Sequence, residues 1–187
     1  QALTANTTGT DNTGIGDNAL AANTTANSNT ALGSSALAAN TTGARNIGIG
    51  MQALTDNTTA NDNIAIGYRA LYENTTGTLN VAVGRSAASA NTVGGYNSAY
   101  GVYALETNVD GSRNTGLGYG ALRTMEPATA SDTYNTGLGF AAGSSITTGV
   151  YNTAVGGNAL DASTTANNNT ALGYGTLSTA CGNQNTA

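Results

Sequence analysis

The sequence predicts an all-β chain wound as a parallel β-solenoid, or β-roll, and three observations carry that reading. A pentapeptide, Asn-x-(Ala/Gly)-(aliphatic or Tyr)-Gly, returns with its Asn at Asn12, Asn29, Asn46, Asn63, Asn80, Asn97, Asn114, Asn135, Asn152, Asn169 and Asn185, at intervals of 17 except for one of 21 and a last one of 16. Its fifth place is always Gly: Gly16, Gly33, Gly50, Gly67, Gly84, Gly101, Gly118, Gly139, Gly156 and Gly173. The composition fits stacking better than a thick globular core, with 26 Gly in 187 residues, 5% aromatics and only 8% charged residues. A fixed period of this size marks a repeat architecture in which each unit buries its apolar face on its neighbours. Residues 1–187 therefore read as a single repeat region of about ten turns, roughly 50 Å long at ~4.8 Å per turn.

With the Asn as position 1, positions 2 to 4 alternate in size with a period of two, the mark of a short strand. Position 3 is only Gly or Ala, whereas position 4 holds Ile15, Leu32, Ile49, Ile66, Val83, Leu117, Leu138, Val155 and Leu172, and position 2 holds residues such as Ile64. The expectation is that positions 2 and 4 face the core and that position 3 points away from it. Gly at position 5 marks a backbone site that needs positive φ or close approach by another chain.

Position 8 is nearly always Ala, and position 9 carries Leu20, Leu37, Leu54, Leu71, Leu122 and Leu160. Positions 6 to 9 read as a second short strand or extended corner that brings Leu to the same interior. Positions 12 to 14 are Asn-Thr-Thr in the first turns, which is turn chemistry. Stacked at the spacing of adjacent strands, identical Asn and Thr residues should align into ladders that bond from coil to coil. The strand signature persists where the Asn-Thr-Thr corner decays, so the strands are expected to face a constrained core and the corners to face solvent.

One unit is four residues longer than the others, with the extra length assigned to a loop at 123–133 that holds the only Pro of the chain. Insertions in solenoids emerge as loops on one face, which makes Met125, Glu126 and Pro127 a candidate contact surface. A second is the set of aromatics just after the Gly: Tyr68, Tyr119, Phe140 and Tyr174. They read either as rings packed on one another from turn to turn or as a stripe for stacking on sugars.

Each turn offers about two large apolar side chains, a thin core for one chain. Association of several copies around a common axis would bury both faces of the sheet and close its edges.

Asn152-Thr-Ala-Val-Gly156 and Asn169-Thr-Ala-Leu-Gly173-Tyr-Gly-Thr-Leu177 resemble the Asn-Thr-Ala-Val-Gly-Tyr-x-Ala-Leu-x-x-Asn-Thr-Thr-Gly repeats of bacterial and phage tail-fibre-like proteins. More distantly, they are similar to the Ser-x-Ala-Ile-Gly head repeats of trimeric autotransporter adhesins, whose turn is shorter. The likeness covers essentially the whole chain. It implies a left-handed parallel β-roll wound as a homotrimer with Gly at the strand end. It also implies a place on a cell or virion surface, with receptor or glycan contacts made by other parts of the fibre.

The chain has no His, no Lys and one Cys, so His- or Lys-dependent catalysis, a P-loop and multi-cysteine zinc sites cannot be assembled within it. No metal or cofactor motif is found, and no enzymatic activity is expected. Five Arg against ten acidic residues, for a net charge of −5, argue against nucleic-acid and basic membrane partners. The expected function is a structural or adhesive fibre segment, a rigid shaft or head that displays a binding tip. An ice-binding solenoid that uses the Thr ranks at positions 13 and 14 is the alternative. A fibre-borne polysaccharide-degrading enzyme is a third reading, and it would need a pair of carboxylates in a cleft.

Overall fold

A computed structural model describes residues 1–127 and 129–187. Among them there is no helix, and the chain is a parallel β-solenoid. Its strands are β1 (Thr13–Ile15), β2 (Thr30–Leu32), β3 (Ile47–Ile49), β4 (Ile64–Ile66), β5 (Val81–Val83), β6 (Ser98–Tyr100), β7 (Gly111–Ser112), β8 (Thr115–Leu117), β9 (Ser131–Asp132), β10 (Thr136–Leu138), β11 (Thr153–Val155) and β12 (Thr170–Leu172). Ten of them form one parallel sheet in the order β1-β2-β3-β4-β5-β6-β8-β10-β11-β12, while β7 and β9 pair by themselves. Every pairing in the large sheet joins equal repeat positions, as in Ile64 with Val81 and Ala65 with Ala82. Nine steps of about 4.8 Å set the first and last of these strands about 43 Å apart.

Each strand ends after three residues because the next residue is a Gly in the left-handed half of φ space, between 125° and 137° in these ten glycines. The stack also leaves no room for a side chain there. A Cβ on Gly67 would lie 2.5 Å from the carbonyl oxygen of Gly84 in the following turn. The glycine column is therefore a line of backbone-on-backbone contact.

Beyond the glycine the chain does not form the second strand expected over positions 6 to 9. It makes two tight turns instead, closed within the Asn63 unit by Ala70 N–H donating to Gly67 O and Asn74 N–H donating to Leu71 O, both at 3.3 Å. Such turns require left-handed residues, and here they are not glycines: Arg69 and Leu71 have φ of 55° and 48°, and Leu79, just before the next Asn, is left-handed as well at 59°. That conformation costs an L-residue about 1–2 kcal/mol, and the solenoid offsets it with bonds between turns. Leu71 N–H donates to Ala87 O at 3.0 Å, and Arg69 N–H donates to Met51 O at 3.1 Å.

The strand faces are the reverse of the expectation. The buried set is Ala at positions 3 and 8, Leu at position 9, and Asn at positions 1 and 12. Leu20, Leu37, Leu54, Leu71, Leu122 and Leu160 lie in the core as expected. Position 4 points outward: Ile15, Leu32, Ile66, Leu117, Leu138 and Leu172 are exposed, while Ile49, Val83, Val155 and Ile64 at position 2 are half-buried. The cause is steric, because the Leu of one turn packs over position 3 of the next. A Cβ on Gly48 would lie 3.3 Å from Leu37 Cγ, and one on Gly137 would lie 2.9 Å from Leu122 Cγ. Only Gly or Ala fits that inward place, so the larger side chains on either side must face out.

The Asn corners are likewise interior. Asn57 Nδ2 donates to Asn40 Oδ1 at 2.8 Å, and Asn74 Nδ2 donates to Asn57 Oδ1 at 3.1 Å. The position-1 column bonds differently: Asn63 N–H donates to Asn46 Oδ1 at 3.0 Å, and Asn80 N–H donates to Asn63 Oδ1 at 2.9 Å. Within one turn both amides converge on a single carbonyl, Asn63 Nδ2 and Asn74 Nδ2 each donating to Gly77 O at 2.9 Å. A buried amide is tolerated only when its donors and acceptor are matched, and the repeat supplies the match from the neighbouring coil. The Thr rank at position 13 adds an outer ladder, as in Thr41 Oγ1 donating to Thr58 O at 3.0 Å.

Candidate functional site

The outer face of the ten-stranded sheet is the most apolar exposed surface. With the exception of Val93, every exposed large hydrophobic side chain stands at position 17, 4 or 6. Positions 17 and 4 flank position 2 on the sheet itself, where Ile, Val and Ser are half-buried and Thr13, Thr115 and Thr170 are exposed. Position 4 contributes Ile15, Leu32, Ile66, Tyr100, Leu117, Leu138 and Leu172, and position 17 contributes Leu79, Tyr96, Tyr134 and Tyr151. Position 4 is apolar at every turn, whereas position 17 is apolar only at these four residues and otherwise holds Asp11, Ser28, Arg45, Asp62, Arg113 and Asn168. Exposed apolar side chains gathered in one column in this way mark interaction sites.

The aromatics after the glycine bend are exposed, and two of the four are occupied with one another. Tyr119 and Phe140 stack with ring centroids 5.3 Å apart and planes 9° from parallel, and Tyr103 meets Tyr119 edge-on at 5.7 Å. On the sheet side, Tyr134 and Tyr151 stack at 5.5 Å and 12°. Rings stacked along the coil axis turn faces to each other and edges to solvent. Tyr119 and Phe140 thus form a turn-to-turn ladder, while Tyr68 and Tyr174 have no stacked partner among the described residues.

Charge is arranged by the same register. Arg45 makes a bidentate pair with Asp62, at 2.6 and 2.8 Å. Arg123 meets Glu106 at 2.7 Å, and Arg113 meets Asp132 at 3.0 Å. The hydrogen bond from Arg45 holds the Asp62 carboxyl below the usual carboxylate range.

The longer turn corrects another expectation. Met125 is fully buried and Pro127 is buried, so neither protrudes; Glu126 alone of the three is exposed. Met125 N–H donates to Leu122 O, the bond that a position-12 Asn makes in other turns, so Met125 continues the inward column. The added residues come after it, where Ser131–Asp132 pairs with Gly111–Ser112 and Thr133 Oγ1 donates to Asn114 Oδ1 at 2.7 Å. Ala128 lies outside the described residues.

Among the described residues there is no cavity and no group of three or more metal-ligating side chains. The candidate sites are therefore surfaces. No protein-family model, curated protein or solved structure matches the chain.

Proposed function

We propose that this chain is a rigid, repetitive segment of an extracellular fibre, of the tail-fibre or surface-adhesin kind, that holds a binding tip away from a cell or virion. The observation that carries the reading is continuity. Backbone bonds, the position-1 Asn ladder and the glycine column all run along one axis in matched register over ten strands. A rod tied to itself at every position around its circumference resists bending and local opening, which is what a spacer needs.

On the same reading the chain works as a homotrimer wound left-handed, its copies meeting through the outer sheet face. The exposed apolar column at position 4 supports this, because covering it removes apolar area from water. Sedimentation of the wild type and of a Leu117→Asp/Leu138→Asp variant tests it. The wild type should sediment at three times the chain mass and the variant at one. A wild type that stays monomeric at high concentration sinks the trimer.

The ice-binding alternative draws less support, since the position-13 Thr hydroxyls donate to carbonyls of the next turn. A rank bonded to its own backbone has fewer donors left for ordered water.

A further inference from the structure

The nine Tyr of the chain differ in what their rings meet. Tyr134 and Tyr151 stand at position 17 of successive turns, and their rings stack with centroids 5.5 Å apart and planes 12° from parallel. They are the one pair of tyrosines among the described residues whose rings lie face to face. Tyr119 stacks on Phe140, which has no phenol, and meets Tyr103 edge-on at 86°. Tyr96 is kept from Tyr134 by Arg113, whose Cζ lies 4.7 Å from the one ring centroid and 5.6 Å from the other. On the strands, Tyr100 has Val83 and Leu117 as its neighbours.

The stacked pair is open to reagents. Tyr134 is 44% exposed and Tyr151 54%. The backbone beneath holds them in register, Tyr151 N–H donating to Thr133 O at 2.8 Å. Tyr134 Oη donates to Asp132 Oδ2 at 3.3 Å, so a carboxylate is in place to take its phenolic proton. Arg113 pairs with that carboxylate at 3.0 Å, and the cation against the Tyr134 ring thus carries its own counter-charge.

The geometry points to a modification site: under oxidising conditions Tyr134 and Tyr151 join in an intrachain dityrosine cross-link. A one-electron oxidant, of the class of a peroxidase working with hydrogen peroxide, takes an electron from each phenol. Each O–H proton leaves, that of Tyr134 to Asp132, and the two phenoxyl radicals couple through ring carbons ortho to their oxygens. The hydrogens on those carbons then pass to the oxygens, which restores both phenols. The chain loses two hydrogen atoms in all, and one peroxide becomes two waters. The rings must lean together to form the bond, and exposed side chains have room to do so. Holding the phenols side by side turns a bimolecular encounter into an intramolecular one.

The bond would tie neighbouring turns where the position-12 amide ladder is absent, since Met125, Ile146 and Ser163 stand in that column. Linking residues 17 apart restricts the unfolded chain as a disulfide does, and a chain with one Cys makes no disulfide within itself. The supply of oxidant rests on the extracellular reading above, whereas the coupling itself does not.

The test is treatment of the purified chain with peroxidase and hydrogen peroxide. Dityrosine fluorescence, a reducing denaturing gel and mass spectrometry of the tryptic fragment 124–187, which holds both rings, follow the product. The variants are Y134F and Y151F, with Y103F as a control, and circular dichroism checks that each is folded. Wild type and Y103F should gain dityrosine fluorescence at the mobility of a single chain, with the fragment lighter by two hydrogens. Y134F and Y151F should lose that signal at least about tenfold. The cross-linked chain should unfold at a higher urea concentration than the untreated one. Absence of dityrosine, fluorescence that survives in either variant, cross-links that join separate chains, or an unchanged urea midpoint overturns the assignment. None of these outcomes turns on whether the chain sediments as a trimer, so the two readings fail separately.

Discussion

The buried Oδ1 of Asn108 has no hydrogen-bond partner, because the next residue in its column is Met125, which has no amide to donate. Every earlier Asn in that column from Asn6 to Asn91 gives its Oδ1 to the Nδ2 of the Asn one turn on. The ladder thus stops at Asn108, at the turn that carries the added residues. Ile146, Ser163 and Cys181 follow in the column, and there Ser163 Oγ and Cys181 Sγ lie 2.9 Å apart.

This break makes the two halves of the ladder unequal to mutation. Asn57→Ala leaves Asn40 Oδ1 buried without a donor and opens a small void, at an expected cost of about 2–3 kcal/mol. Asn108→Ala removes an acceptor that is already unmatched, so its cost should be lower by roughly 1 kcal/mol. Urea unfolding of the two variants measures the difference, and identical midpoints would contradict it.

Hydrogen exchange should show the same boundary. Amides of turns before Asn108 are held by both Asn columns, whereas those after Ile146 keep the position-1 column, as in Asn152 N–H donating to Asn135 Oδ1 at 2.9 Å. Local opening follows local bonding. Mass spectrometry should therefore find faster exchange over 146–180 than over 40–100, and uniform protection would count against a divided stack.

Two glycines separate strain from collision. Gly67→Ala meets both an unfavourable φ of 134° and a backbone oxygen 2.5 Å from the new Cβ, so it should force neighbouring turns apart and lower the melting temperature severely. Gly175→Ala, at φ 65° with nothing within 4 Å of its Cβ, should cost only the left-handed penalty of about 1–2 kcal/mol. Similar melting temperatures for the two variants would show that contact between turns matters less than the geometry indicates.

Leu71 and Ile66 test the inverted faces. Leu71→Ala should destabilise by about 2–5 kcal/mol through lost burial and a void. Ile66→Thr should change the stability of the isolated chain by less than about 0.5 kcal/mol and act mainly on association. If Ile66→Thr destabilises a monomeric chain as much as Leu71→Ala, the outward placement of position 4 is wrong.

The Asp62 carboxyl gives the pH dependence a sign. Its folded pKa lies below the unfolded one because Arg45 donates to it. Its contribution is therefore present above the ordinary carboxylate range and is lost as pH falls through the lowered value. Wild type should lose slightly more stability than Asp62→Asn on acidification, and the gap should narrow at about 1 M salt, where exposed pairs are screened. An equal loss in both proteins would show that the pair contributes nothing.

Period, strand register and the glycine column were legible in the sequence because each has one physical solution. A Gly at the fifth place of every turn has to answer a backbone constraint, and Gly67 does. Alternation at Ile64-Ala65-Ile66 was legible too, but a period of two has no sign and does not say which face is inside. The size limit at position 3 held that information: a place that tolerates nothing beyond Ala at every turn is the crowded one. The left-handed residues Arg69, Leu71 and Leu79 left no such mark, since none of these side chains favours that conformation. Met125 was misread for a related reason, the extra length being assigned from its position when the added residues follow it.

The longer turn leaves the register intact. Strand β10 pairs with β8 position for position, Thr136 with Thr115 and Leu138 with Leu117, although more residues separate them than separate any other neighbours in the sheet. The height of the rod is thus a tally of its glycine rungs and is indifferent to how much chain lies between them. Whole rungs added or removed would change the reach of such a ruler in increments of about 4.8 Å, while material inserted between rungs would decorate its side and leave the reach unaltered.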